Sequence, residues 1–175
     1  DYCQNSRNRF NGPIDLIATY DRLNPSSASA DRDNEVQQYI LGGSYDFEVV
    51  KALLAYSRTT DGWFTGQSLP QGATIGGFSG IRGFSFADGF RANSYLVAAT
   101  MPLGANKVFA SWQAADPKND KLNGQDETTN VYSIGFTHDL SKRTNVYAIG
   151  SYAKNVYFMP DAKSTLIGVG VRHQF

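Results

Sequence analysis

Two histidines, one cysteine and a scatter of carboxylates are the groups in this 175-residue chain with chemistry to offer. A metal centre or an acid–base pair needs such groups at workable spacing. His138 and His173 stand far apart, and each shares the register of its apolar neighbours. A rim residue with an amphipathic ring is the expected role for both. Cys3 is alone, which excludes a disulfide framework and a cysteine zinc cluster. Asp21, Asp31, Asp33 and Glu35 gather on or beside a polar stretch that could take a divalent cation, but a solvated loop is the default reading. The segment GATIGGFSGIRGFSF has phosphate-loop glycines without the following Lys-Ser/Thr or a helix, so it reads as a flexible outer loop. No Ser-His-Asp spacing is persuasive. The sequence points to no enzyme, no metal and no cofactor. Four other charges, Asp15, Lys51, Lys107 and Arg172, interrupt alternating stretches, and their meaning depends on the elements that carry them.

Those elements are strands. In the closing STLIGVGVRHQF, Ile167, Val169, Val171 and His173 alternate with Leu166, Gly168, Gly170 and Arg172. One side is apolar and the other small or charged, a period of two. Eight such segments are predicted, at 13–22, 36–47, 48–58, 91–101, 106–114, 128–138, 142–154 and 165–175. Those at 91–101 and 142–154 are ambiguous in register. No long helical period competes, and no apolar run approaches the roughly 20 residues of a spanning helix. Seventeen glycines, 10 tyrosines and 11 phenylalanines suit a β-rich chain.

The connections alternate between long polar stretches and tight turns such as PLGA and DLS. In an up-and-down antiparallel sheet every long loop then falls at one end. A membrane barrel sorts its loops in this way, and a soluble sandwich has no reason to. Aromatics close the apolar face at both rims: Tyr20, Tyr56 and Trp112 toward the long loops, Phe47, Phe136 and Phe175 toward the turns. Such girdles belong at membrane–water interfaces. The expected fold is therefore all-β, a transmembrane antiparallel up-and-down barrel in a single domain spanning 1–175. Arg172, Lys51 and Lys107 would face inward with Asp15 opposing them, since a charge facing lipid at midplane costs about 2–4 kcal/mol. Lining a water-filled lumen, they would bias it toward anions.

Sixteen basic and 16 acidic residues balance, which argues against a nucleic-acid partner. No secretory signal and no initiator methionine open the chain, so a mature form or a piece of something longer is expected. Two rival readings stand beside a pore: a self-contained eight-stranded membrane barrel with a structural or adhesion role, and a soluble ligand-binding barrel with its apolar face inside.

THDLSKRTNVYAIGSYAKN followed by the terminal GVGVRHQF resembles the last strands of the Gram-negative general porins, of the β-proteobacterial and neisserial trimeric kind. YILGGSYDF, VVKALLAYSRT and NSYLVAATMPLG are similar to the strands before them; residues 1–9 match poorly. The resemblance implies a barrel of about sixteen strands, of which the eight predicted here would be the second half and residues 1–9 a preceding descending strand. It also implies a bacterial outer-membrane location amid lipid and lipopolysaccharide, a homotrimer, and passive diffusion of small hydrophilic solutes. The N-terminal half of the barrel, with the constriction loop, would lie elsewhere. The final Phe175 would be the mark read by the barrel-assembly machinery.

Overall fold

Where period-two patterning holds, a strand has one oily side and one wet side, and pairing in register is what gathers the oily sides together. The computed structural model of the chain describes residues 2–23, 35–62, 73–75, 78–81, 89–119, 121 and 126–174. Nine strands form one antiparallel sheet in the order β1 (Tyr2–Asn11), β2 (Ile14–Leu23), β3 (Val36–Asp46), β4 (Lys51–Thr60), β7 (Ala92–Leu103), β8 (Asn106–Pro117), β9 (Thr129–Ser141), β10 (Thr144–Lys154) and β11 (Lys163–His173). Every neighbour in the sheet is a neighbour in sequence apart from a small hairpin, β5 (Ala73–Ile75) with β6 (Phe78–Ile81). The glycine-rich segment expected as a plain loop thus contains paired backbone.

The eight expected strands are present, and the ninth, β1, pairs with β2 along its whole length from Tyr2↔Leu23 to Asn11↔Ile14. Three boundaries move by three residues, one being the end of β8, which runs on from 114 to Pro117. The stretch DLS, expected as a turn, continues β9; the turn is Lys142–Arg143, because Asp139 still pairs with Asn145 and Ser141 with Thr144 across a bulge. The third expected strand starts at Lys51 rather than at 48, because Glu48 has a left-handed φ of 69° and Phe47 N–H donates to Val50 O at 2.9 Å.

Tight turns at 12–13, 47–50, 104–105 and 142–143 occupy one end of the sheet, and the strand ends that the longer connections join lie at the other. Gly12 and Gly104 adopt φ of 63° and 64°, the left-handed conformation that such turns require and glycine supplies. Among the described residues β1 pairs only with β2 and β11 only with β10, so the sheet does not close on itself. A self-contained eight-stranded barrel needs that closure, and this reading is not supported.

Candidate pore wall

Register fixes the faces. One cross-strand row runs Leu16, Gly43, Leu54, Val97, Trp112, Tyr132 and Tyr152 from β2 to β10. The next row, on the opposite face, runs Asp15, Ser44, Leu53, Ala98, Ser111, Ser133 and Ser151. The sheet's concavities open on the second face, one flanked by Asp15, Ile17, Ser44 and Leu53 and another by Ser57, Ser94, Gln113 and Thr129. The apolar face is therefore convex and bare: Ile167, Val169 and Val171 are 83%, 78% and 68% exposed. A soluble barrel with its greasy residues inside would bury these three, so that reading is overturned.

The two ambiguous strands settle through their neighbours. Tyr95, Val97 and Ala99 of β7 share the convex face with Leu54 and Tyr56, and Val146, Ala148 and Tyr152 of β10 share it with Phe136 and Ile134.

Tyr20, Tyr56, Trp112 and Phe136 lie on the convex face in the register expected for them, and Phe47 follows β3 at the turn end, 54% exposed. Phe175 lies outside the described residues. The rings cluster at the two rims: Tyr20 with Tyr39 at 4.8 Å and Tyr56 with Tyr95 at 5.5 Å toward the long loops, Tyr45 with Phe47 at 4.4 Å toward the turns. Tyr56 donates its hydroxyl to Asn93 Oδ1 at 3.1 Å, and Trp112 Nε1 donates to Asn130 Oδ1 at 3.0 Å. Both asparagines lie toward the long-loop rim. These two rings thus lie on the apolar face with their polar tips bonded to asparagines nearer the rim.

Both histidines occupy the convex turn-end rim, as the alternation predicts. Asn106 Nδ2 donates to Leu103 O at 3.3 Å, which turns its Oδ1 toward His138 Nδ1 at 2.7 Å, and the imidazole donates there. His173 Nδ1 meets Thr144 Oγ1 at 2.9 Å.

Asp15, Lys51, Lys107 and Arg172 all fall in the rows of the concave face. They are not four independent charges. Lys51 Nζ donates to Asp15 Oδ2 at 2.9 Å, spanning β3, whose Ser44 hydroxyl donates to the same oxygen at 3.2 Å. Lys107 lies 3.7 Å from Asp139, an acid that the alternation did not single out because the DLS stretch reads as a turn. Arg172 pairs with Asn145 of the adjacent β10. Of the acidic cluster, Glu35 pairs with Arg22, while Asp31 and Asp33 lie outside the described residues. Among the described residues no group of three metal-binding side chains converges.

The long-loop rim has a small core of its own. Phe90, at the end of the β4–β7 connection, and Phe158, in the 3-10 turn Val156–Phe158 that follows β10, bring their ring centres to 5.7 Å over Ala92 and Ala115. Both phenylalanines are buried. Thr129 Oγ1 donates to Asn155 O at 2.6 Å and accepts from Phe158 N–H at 3.2 Å; Asn155 Nδ2 donates to Thr128 O at 3.1 Å. Four non-glycine residues of this loop, Asn155, Tyr157, Phe158 and Asp161, have left-handed φ between 54° and 61°. Beside it Lys118 pairs with Asp116, a hydrogen bond that raises the lysine pKa above its usual value. Alternation carries no signal for this cluster, because its two rings come from different loops.

Comparison with known proteins agrees with this architecture. Residues 4–156 match the Gram-negative porin family. An outer membrane porin protein of Bordetella pertussis is 56% identical over 94% of this chain and 44% of its own length. The anion-selective porin from Comamonas acidovorans shares the fold, with a TM-score of 0.70 and 21% identity over 99% of this chain and 49% of that one. OmpT of Vibrio cholerae follows with a TM-score of 0.63 and 12% identity, covering 99% of this chain and 56% of that one. The chain thus spans about half the length of the relatives it matches. It belongs to the Gram-negative porin family, proteins of the bacterial outer membrane.

Proposed function

We propose that this chain forms a stretch of the wall of a water-filled barrel through which small hydrophilic solutes and ions diffuse passively, with a bias toward anions. The observation that carries the reading is the two-faced sheet: aliphatic residues bare on the convex side, hydroxyls and charges on the concave side. The convex side meets lipid and lipopolysaccharide, where no catalytic step is called for. Lys51 and Lys107 each stand beside a carboxylate, which leaves Arg172 as the cation with the strongest hold on a passing anion. The name of the Comamonas relative supports the same sign of selectivity.

Backbone groups at a sheet edge find no partners in hydrocarbon. The edges at β1 and β11 therefore call for further strands, and the family resemblance assigns them to an N-terminal half of the barrel. The same resemblance supports a homotrimer, and recognition of Phe175 by the barrel-assembly machinery. Planar-bilayer recordings test the pore: purified protein that gives no conductance removes it. Reversal potentials in a KCl gradient test the bias. Neutralising Arg172 together with Lys51 should lower the anion-to-cation permeability ratio, and an unchanged ratio removes the assignment.

A further inference from the structure

We propose that Tyr147 and Arg172 form a subsite in the lumen for a planar aromatic carboxylate, of which benzoate is the simplest. The proposal rests on reading the concave face as the wall of a pore. Tyr147 pairs with Gly170 between β10 and β11. A Cβ placed on Gly170 would lie 2.5 Å from the Tyr147 hydroxyl oxygen and 2.6 Å from its Cζ. The phenol therefore lies down across the glycine, in space that any side chain there would take. Its outer face meets water, with Tyr147 42% exposed. Arg172 is the next residue on the same face of β11, about 7 Å further along the strand. Among the described residues no carboxylate stands within ion-pair distance of it, and the nearby Asp139 is engaged with Lys107 at 3.7 Å.

A flat π surface and a guanidinium-bearing residue thus occupy successive positions on one face of the wall. An aromatic ring gains from offset stacking on such a surface. A carboxylate on that ring accepts two parallel N–H bonds from the guanidinium. A saturated ring of equal size has the carboxylate but no plane, and acetate has no ring. The neighbouring strand pair repeats the device: a Cβ on Gly135 would lie 2.2 Å from Phe109 Cζ, so that ring also lies flat, two residues from Lys107.

The test uses the porin purified from outer membranes, in planar bilayers bathed in KCl, with benzoate, cyclohexanecarboxylate or acetate added on one side. Benzoate should reduce the chloride current at a concentration at least threefold below that of cyclohexanecarboxylate, with acetate weakest. Tyr147→Phe should keep this preference, Tyr147→Leu and Gly170→Ala should abolish it, and Arg172→Gln should weaken both ring acids. KCl channels that show no preference for benzoate, or a preference that survives Tyr147→Leu, overturn the subsite and leave the pore standing. Absence of KCl channels overturns the pore itself, and the subsite with it. Should a variant not insert, the wild-type comparison of the two ring acids decides alone.

Discussion

Lys51 and Asp15 meet at 2.9 Å across an intervening strand, so a cation and an acid 36 residues apart form one neutral feature of the concave wall. The hydroxyl of Ser44 beneath them gives the carboxylate a second donor. Both partners are roughly half exposed, so solvent screens the pair and it adds little to stability. Its consequence is electrical. Lys51→Gln should release the Asp15 charge and shift permeability toward cations, and Asp15→Asn should shift it toward anions. The double variant should return near the starting ratio. Reversal potentials at 0.1 M salt, where screening reaches about 10 Å, are the measurement; equal shifts of one sign from both single changes would refute the pairing.

The two faces should respond oppositely to one substitution. Ile134→Lys on the convex face of β9 puts a charge into hydrocarbon, a loss of about 2–4 kcal/mol at midplane. Ser133→Lys, the adjacent residue on the concave face, should lose less than about 1 kcal/mol because water solvates it. Guanidinium unfolding in lipid vesicles compares the two. Similar losses would mean that the face assignment is wrong.

Phe158→Ala should loosen the long-loop rim rather than the barrel. Truncating a buried phenylalanine costs about 3–5 kcal/mol in a full core, and the lower end applies to a cluster as small as this one. Protease cutting within 155–162 should rise by about a hundredfold, from the 2.7 kcal/mol that such a factor represents. Cleavage that rises equally in the short turns would point to global rather than local opening.

Gly135→Ala should cost about 1–3 kcal/mol, since its Cβ would enter the space of the Phe109 ring. Joined with Phe109→Ala, the penalty should largely vanish. A double-mutant cycle in equilibrium unfolding reads the coupling; additive losses would show that the ring had other reasons to lie flat.

Strands with chemical contrast between their faces were legible from sequence alone. In β11, valines alternate with glycines and an arginine, and the face follows at once. β7 and β10 carry Ala98, Ala99, Ala148 and Ala153 on both sides, so period two loses its contrast and only hydrogen-bond register decides. Asp139 and Ser141 have turn-forming side chains, yet pairing across to β10 holds them extended, and this hid the partner of Lys107. The concave placement of Asp15, Lys51, Lys107 and Arg172 could be read strand by strand. Which of them neutralise one another could not, because that depends on strand order and stagger. The Phe90–Phe158 contact joins two loops far apart in sequence, and no local pattern encodes it.

The left-handed run at Asn155, Tyr157, Phe158 and Asp161 has an immunological corollary. Such backbone is held only by its surroundings, and an unfolded chain returns these residues to negative φ. Antibodies elicited by the folded loop should therefore bind a conformational epitope, with titres falling at least tenfold on heat-denatured protein or on a linear peptide covering 153–163. Equal titres on folded and denatured antigen would show that the loop's shape does not govern recognition.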